Sequence, residues 1–246
     1  MLLYWYGPTP RGTRFPMDVI FDFDPQRALA AVAYIASKNP PNFDKYKVCK
    51  LIFLSDKRHL VRYGRPITGD TYYAFDWGPV PSITLDALNN NHPLANELRG
   101  VLKKERASKG KPRPRNPRFT LRPKKRPWLE FLSKSDLNVL DEIVEEYGNK
   151  TFEELYRITH ALPAYYKAWA RREGNRQLMR FEEFFEDDTN ADETLLQELR
   201  EKAALVGELS SADTGVSSIG VSGLRRNPLR HGEESSWPFR HRQAHS

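Results

Sequence analysis

The segment from Asp44 to Arg62 is predicted to form a helix that is apolar on nearly every side. Such a helix usually lies buried at the centre of a domain, because no face of it favours water. Tyr63-Gly64-Arg65-Pro66 follows and ends it, since proline cannot continue a helix. The sequence therefore predicts a domain organised around one central helix. Its apolar residues include Val48, Leu51, Ile52, Phe53 and Leu54.

Shorter amphipathic segments with clear start signals flank this helix on both sides. Asp24-Pro25 is typical of an N-cap followed by proline at the first helical position, and Thr151 with Glu154 matches a capping box. Ile67 through Trp77 mixes Thr, Tyr and Phe around Gly69, which indicates a short strand or hairpin. We predict a mainly α fold, a compact helical domain with a small β-hairpin. A turn is predicted at Gly78-Pro79-Val80-Pro81-Ser82, with Ser82 as the cap of a helix that ends at Leu88. A helix that begins at Ser133 or Ser135 is predicted to end at a C′ glycine, Gly148. The other predicted helices follow Pro25 or lie at Pro93 to Lys104, Thr151 to His160, 164–172, Phe181 to Phe185 and Asp192 to Leu209.

The chain is expected to contain one folded domain and two terminal extensions. Apolar residues make up 39% of the sequence, below the ~45–50% usual for globular chains, so part of the length is not core. Residues 1–16 lack a helical period and are predicted to be an N-terminal extension. Residues 17–209 are predicted to form the domain, and the Ser-, Gly- and Arg-rich residues 210–246 a disordered tail.

The positive charge of the chain is concentrated in one segment. The net charge is +7, but Lys103 to Arg126 alone carries twelve Lys or Arg and one Glu, a local charge of +11. Four prolines forbid a continuous helix there, so we predict an inserted basic loop, 103–126, with a short strand at Phe119 to Leu121. Such a loop binds nucleic acid through phosphates, is merely solvated, or meets an acidic protein. The nucleic-acid hypothesis assigns contacts to Lys111, Arg113, Arg115, Arg118, Lys124, Lys125 and Arg126.

The sequence shows no pattern for a catalytic, metal or cofactor site. A single cysteine, Cys49, excludes a disulfide framework and a multi-cysteine zinc site, and no glycine-rich phosphate loop occurs. Asp56 and His59 share a helix face, which suits an oriented catalytic base or a structural pair. The structural interpretation is favoured, because no nucleophile motif accompanies them. A hydrolase using Asp56, His59 and His160 would require these residues to converge in one pocket.

The expected location follows from hydropathy. No segment approaches the ~20 apolar residues of a membrane-spanning helix, and the apolar opening from Met1 to Tyr6 is too short for a signal sequence. We therefore predict a cytoplasmic protein that is not an enzyme, has no membrane segment, and holds no metal or cofactor.

Aromatic residues cluster beside the proline-rich segment. Tyr72, Tyr73, Phe75 and Trp77 lie within a few residues of one another. When exposed, aromatic and Arg side chains are the usual anchors of protein interfaces, whereas alternation along a hairpin sends some of them into the core. We expect Arg65, Tyr72, Tyr73 and Trp77 to contact a protein partner.

A specific series of motifs surrounds the central helix. It runs from Lys50 to Asp56, then His59-Leu60, Tyr63 to Asp70, Tyr72 and Gly78 to Ser82, with Leu132-Ser133, Ser135 to Leu137 and Thr159-His160 further on. This order resembles that of the Panacea domain, the SocA-like antitoxin family, over roughly residues 24–175. Ser55, Lys57 and the long basic loop depart from the family pattern.

The resemblance implies a compact helical domain that acts as the antitoxin of a bacterial or phage type II-like toxin–antitoxin pair. It implies neutralisation of a cognate toxin by direct protein contact, in some members as an adaptor to a Clp-type protease. The alternative is a nucleic-acid-binding regulator acting through the basic loop. We expect Asp56 and His59 to lock the central helix against the turn that follows. The residues assigned to the structural motif are Lys50, Asp56, His59, Tyr63, Gly64, Pro66, Gly69, Gly78, Pro79, Thr159 and His160.

Overall fold

The computed structural model describes residues 19–106, 119–124, 128–187 and 192–212, which form a helical domain with two small antiparallel sheets. The predicted mainly α fold is confirmed. The helices are α1 (Pro25–Ser37), α2 (Lys45–Tyr63), α3 (Ser82–Leu88), α4 (Ala95–Val101), α5 (Lys134–Tyr147), α6 (Phe152–His160), α7 (Pro163–Ala170) and α8 (Glu193–Ala212). The strands are β1 (Tyr72–Phe75), β2 (Gly78–Pro81), β3 (Leu102–Arg106), β4 (Phe119–Pro123) and β5 (Arg176–Leu178), with 3-10 turns at Leu129–Phe131 and Phe181–Phe185.

Helix α2 is the predicted central helix. Fifteen of its nineteen residues are buried, and it packs against α1, α3, α5, α6 and strand β2. The Asp44 side chain accepts a hydrogen bond from the Lys47 amide at its start. Gly64 ends the helix at φ +71°, in the left-handed region that favours glycine.

Capping residues outside α2 are confirmed in three of the predicted places. Asp24 caps α1 ahead of Pro25, Ser133 forms a capping box with Asp136 at α5, and Thr151 forms one at α6. These caps satisfy amides that lack a partner inside their helices. The sequence thus determines where these helices begin.

The ends of α5 and α8 differ from the prediction. Gly148 follows α5 at φ −59° and ψ −34°, a right-handed conformation, so the expected left-handed C′ glycine is wrong. Its carbonyl accepts a hydrogen bond from the buried Lys47 ammonium group instead. Helix α8 continues to Ala212, beyond the predicted boundary at 210, and the remainder of the predicted tail, like the predicted extension 1–16, lies outside the described residues.

The predicted hairpin is formed by β1 and β2, and β5 extends it into a three-stranded sheet of order β2-β1-β5. Because Phe75 pairs with Gly78, the turn is Asp76-Trp77. The prediction of a turn at 78–82 is wrong, since Gly78–Pro81 is strand β2. Its prolines are compatible with this because β2 lies at the edge of the sheet, where a missing amide is tolerated.

Helix α3 begins at Ser82 as predicted, but the Ser82 side chain does not cap it. The carboxylate of Asp70 accepts the Ile83 amide at 3.0 Å and the Thr84 amide at 2.8 Å. Asp70, twelve positions before Ser82, therefore caps α3. No local sequence pattern indicates this cap.

The basic segment begins and ends as a two-stranded ribbon of β3 and β4. Leu102 to Lys104 belong to β3, so the helix predicted from Pro93 to Lys104 is shorter, and the strand predicted at Phe119 to Leu121 is confirmed. Leu102 and Leu121 are buried against the core. The apolar side chains at both ends of the basic segment explain why it pairs there rather than remaining a loop.

Candidate functional site

Asp56 joins the central helix to the turn that follows it. Its carboxylate is fully buried and accepts hydrogen bonds from the Ile67 amide at 3.0 Å, the Thr68 amide at 2.9 Å and the Tyr72 hydroxyl at 2.9 Å. The Thr68 hydroxyl is a fourth donor. Burial raises the pKa of Asp56, although the hydrogen bonds from Thr68, Tyr72 and Ile67 act in the opposite direction.

Asp70, further along the same segment, is a second buried carboxylate that accepts several hydrogen bonds. It accepts the Thr84 hydroxyl at 2.7 Å as well as the two amides at the start of α3. Burial raises the pKa of Asp70 to about 6, against the lowering effect of its hydrogen bonds from Thr84 and Ile83. Two buried carboxylates thus organise the segment between α2 and α3, and neither forms an ion pair with a described residue.

A second buried cluster connects the end of α2 to the start of α5. His59 Nδ1 lies 2.7 Å from the Arg65 carbonyl oxygen, and His59 Nε2 lies 3.0 Å from Asp136 Oδ1. The Arg65 guanidinium group also donates to Asp136, at 2.9 Å. Burial alone would raise the pKa of Asp136, but hydrogen bonds from His59 and Ser133 and the charge of Arg65 hold it well below its usual range.

The third cluster surrounds the amino group of Lys50 beneath strand β2. Lys50 is fully buried and donates to the Pro79 carbonyl oxygen at 2.8 Å. A side chain at Gly78, which has φ +95°, would lie about 3 Å from Lys50 Nζ, Thr159 Oγ1 and His160 Cε1. Glycine is therefore required where α2, β2 and α6 meet. His160 Nε2 lies 3.1 Å from the Asp76 carbonyl oxygen, and burial lowers the pKa of His160.

Lys50 is expected to make the free energy of unfolding depend on pH. Burial lowers the pKa of Lys50 to about 7, whereas an unfolded lysine titrates near 10.4. Between these values the unfolded state binds more protons, so stability rises with pH by at most about 1.4 kcal/mol per pH unit. Relative to Lys50→Met, the wild-type protein should gain stability from pH 7 to pH 10 in urea titrations.

Lys202→Met is the matched control, because Lys202 is exposed on α8. We expect its stability difference from the wild type to stay constant over the same pH range. A constant difference for Lys50→Met as well would contradict a buried, partly deprotonated amine.

The expected partner contacts lie in different environments. Tyr72 is 1% exposed, packs against Phe53 and Phe184 and bonds Asp56, so its assignment to a partner surface is wrong. Alternation along β1 sends Tyr72 into the core and leaves Tyr73 half-buried on the other face. Trp77 is half-buried at the turn. The Arg65 side chain is 33% exposed, and its guanidinium group is held by Asp136.

The residues proposed for nucleic acid lie mostly outside the described part of the chain. Only Lys124 is described; it is exposed, and its ammonium group donates to the Arg99 carbonyl oxygen. The six that lie outside are Lys111, Arg113, Arg115, Arg118, Lys125 and Arg126.

The hypothetical hydrolase residues are divided among separate hydrogen-bond networks. Asp56 bonds the turn after α2, His59 bonds Arg65 and Asp136, and His160 bonds Tyr156 and Asp76. They do not form the arrangement that the hydrolase hypothesis requires. Among the described residues, no group of three or more His, Cys, Asp or Glu is placed to hold a metal ion. None of the described helices combines the length and apolar character needed to cross a bilayer.

The remaining motif residues serve local geometry. Tyr63 is 48% exposed and packs on the His59 ring at 4.6 Å between centroids. Pro66 is buried, and Gly69 lies at φ +67°. Thr159 is buried and donates to the Leu155 carbonyl oxygen within α6.

Several residues of these clusters were not assigned from the sequence. Asp70 and Asp136 each hold a turn or helix start through long-range contacts. Tyr46 places its ring 4.7 Å from Lys50 Nζ. Asp70 and Asp136 both stand in the series of motifs, and Asp136 carried a second signal, since it stands three residues after Ser133, where a capping box places an acidic residue.

The fold and these three clusters define a helical scaffold whose buried polar groups fix its own turns. Residues 48–166 match the family model described as antitoxin SocA-like, Panacea domain. The match begins within α2 and ends within α7, so it contains all three clusters and confirms the predicted family. This segment is similar to the Panacea domain of SocA-like antitoxins. No curated protein and no solved structure matches the chain.

Proposed function

We propose that this protein is an antitoxin that neutralises a cognate toxin by direct protein–protein contact. The observation that carries the proposal is the match of residues 48–166 to the SocA-like antitoxin family. The family supports an antitoxin role, implies a toxin partner and favours a role without catalysis. The buried polar residues of this scaffold hold its own turns. We therefore propose that the protein neutralises the toxin through contact at its surface.

The contacts that remain from the sequence prediction are Tyr73, Trp77 and Arg65. Tyr73 and Trp77 are half-buried on or beside the hairpin, with part of each ring open to a partner. Arg65 is already bonded to Asp136 and Ser133. The hairpin aromatics are therefore stronger candidates than Arg65 for contact with the toxin.

The test is co-expression with the product of the neighbouring reading frame. That product, induced alone, is expected to arrest growth, and co-expression with this protein is expected to restore growth and yield a complex on purification. Rescue with loss of the product, dependent on a Clp-type protease, would support the adaptor mode. Absence of toxicity and of rescue would contradict the antitoxin proposal.

Gly78→Val supplies a control for the fold in that experiment. The substitution places a branched side chain at φ +95° against Lys50, Thr159 and His160. We expect it to remove soluble protein and rescue together. Rescue by a variant that does not fold would show that growth recovers for another reason.

A second candidate function is nucleic-acid binding by the basic segment. The paired strands β3 and β4 place Lys103 opposite Arg122, and like charges directly opposite each other repel. Glu105 offsets part of this repulsion, because it forms ion pairs of 2.6 Å with Lys103 and 3.7 Å with Arg122. Binding to the DNA of its own operon that collapses between low and moderate salt would support this function.

A further inference from the structure

Aromatic rings form a continuous ladder from the hairpin turn across α6 and α7. The ladder consists of six rings in sequence, with Arg172 at one end. Successive ring centroids, from Trp77 to Trp169, lie 3.6–6.2 Å apart. The members of this aromatic ladder are Trp77, Phe152, Tyr156, His160, Tyr165 and Trp169.

Much of the ladder lies outside the hydrophobic core. Trp77 and Tyr156 are half-buried and do not belong to the core cluster of the described residues, whereas the half-buried Phe152 packs against the buried Tyr46 ring at 4.3 Å between centroids. Half-buried large rings expose apolar surface at a cost of about 25 cal/mol per Å². Tyr165 is buried in the core, and it joins Trp169 to the partly exposed rings at the other end of the ladder. Partly exposed apolar surface of this kind is suited to an interaction site.

The far end of the ladder carries a fixed positive charge. The Arg172 guanidinium group lies 3.8 Å from the centroid of the Trp169 ring and donates to the Trp169 carbonyl oxygen at 2.8 Å. Arg176 lies 4.9 Å from the centroid of the Tyr73 ring. Both arginines are exposed, and neither forms an ion pair with a carboxylate of the described residues. Burial raises the pKa of Asp86, and the charge of Arg176 acts in the opposite direction. Each guanidinium group still has N–H groups to donate to an external anion.

The ladder and the hairpin are held together as one rigid unit. The Tyr165 hydroxyl donates to the Phe75 carbonyl oxygen at 2.8 Å. His160 lies between the Tyr156 carbonyl oxygen, at 2.7 Å, and the Asp76 carbonyl oxygen, at 3.1 Å. A preformed surface loses little conformational entropy on binding, so more of its contact energy contributes to affinity.

We propose that the partly exposed rings of the aromatic ladder, together with Arg172 and Arg176, form the surface that docks the toxin, and that the docked face of the toxin is acidic. This inference rests on the proposed antitoxin function. Trp, Tyr and Arg are the residues that dominate the energetics of protein interfaces. Two exposed arginines that form no ion pair within the described residues complement carboxylates of the toxin, to which guanidinium groups bind in bidentate fashion.

A protein fits this surface better than a nucleic acid does. Asp76 stands at the hairpin turn beside Trp77, and Glu153 follows Phe152 at the start of α6; both carboxylates are exposed. Phosphate groups following the ladder would meet these negative charges. A toxin surface is able to place apolar side chains at this end and its carboxylates at the arginines.

The test is charge reversal at Arg172 and Arg176 in the full chain, with the co-expressed product of the neighbouring reading frame as the probe. The double variant Arg172→Glu, Arg176→Glu should keep the wild-type melting temperature and bind the probe at least about 30-fold more weakly, the loss expected of interface hot spots. Its affinity should also respond less to added salt. The matched control is Arg200→Glu on exposed α8, which should bind like the wild type.

The outcomes separate this inference from the proposed function. If the wild type binds the probe and the double variant binds equally well, the ladder is not the docking surface while the antitoxin function stands. If the wild type itself neither binds nor rescues, the proposed function fails first. If the double variant loses binding to a single-stranded oligonucleotide but keeps the toxin complex, the surface binds nucleic acid and the inference is overturned.

Discussion

Asp56→Ala is expected to lower the free energy of unfolding by about 2–6 kcal/mol, because two buried amides lose their acceptor and each unsatisfied buried amide costs about 1–3 kcal/mol. The substitution leaves the amides of Ile67 and Thr68 without an acceptor in the core. The hydroxyls of Thr68 and Tyr72 lose the same partner. Urea denaturation followed by circular dichroism measures the change.

Two substitutions distinguish the loss of the acceptor from the loss of a charge. Asp56→Asn keeps one carbonyl oxygen for the two amides, so its cost should be clearly smaller than that of Asp56→Ala. Asp76→Ala removes an exposed carboxylate at the hairpin turn and should change stability by no more than about 0.5 kcal/mol. Equal stability of Asp56→Ala and the wild type would show that the carboxylate does not hold the turn.

The predictable part of the fold is the part specified by local pattern. The apolar run from Asp44 to Arg62 fixed the central helix, and Asp24, Ser133 and Thr151 marked helix starts. Each of these signals acts within about four residues, through a cap or through side chains on one helix face. These features therefore form in the structure where the sequence predicts them, because they depend only on neighbouring residues.

The errors arose where distant residues decide the local structure. The segment 78–82 has the composition of a turn, but pairing with β1 makes it a strand. Asp70, not Ser82, caps α3. The short strand β5 has no alternating pattern and exists because its residues pair with β1. Tertiary context overrides propensity at such positions.

The same contrast applies to the candidate site. Asp56 and His59 were expected to lock the central helix against the turn that follows it; Asp56 bonds that turn at Thr68, and His59 bonds it at the Arg65 carbonyl oxygen. Their common helix face was predictable from spacing, whereas the partners Thr68 and Asp136 required the fold. The aromatic ladder combines residues of the hairpin, α6 and α7, so only the arrangement of these elements brings it together.

Gly69→Ala is expected to destabilise the domain strongly, because two costs add at this position. At φ +67° an alanine costs about 1–2 kcal/mol through contact with its own backbone. Its Cβ would also overlap the Asp22 carbonyl oxygen and lie 3.0 Å from the Asp22 carbonyl carbon. The Asp22 backbone has little freedom to move away, since the Asp24 amide bonds Thr68 O at 2.8 Å and the Val19 amide bonds Glu182 at 2.8 Å. We expect a lower urea midpoint with an unchanged slope.

Gly100→Ala is the matched control, because the same chemical change is made where no atom lies within 4 Å of the added Cβ. Gly100 belongs to α4, and alanine in a helix is favoured over glycine by about 0.5–1 kcal/mol. The two substitutions should therefore shift the urea midpoint in opposite directions. Stabilisation by both would show that residues 19–24 do not pack over the turn at Gly69, and that the N-terminal approach to α1 adopts another path.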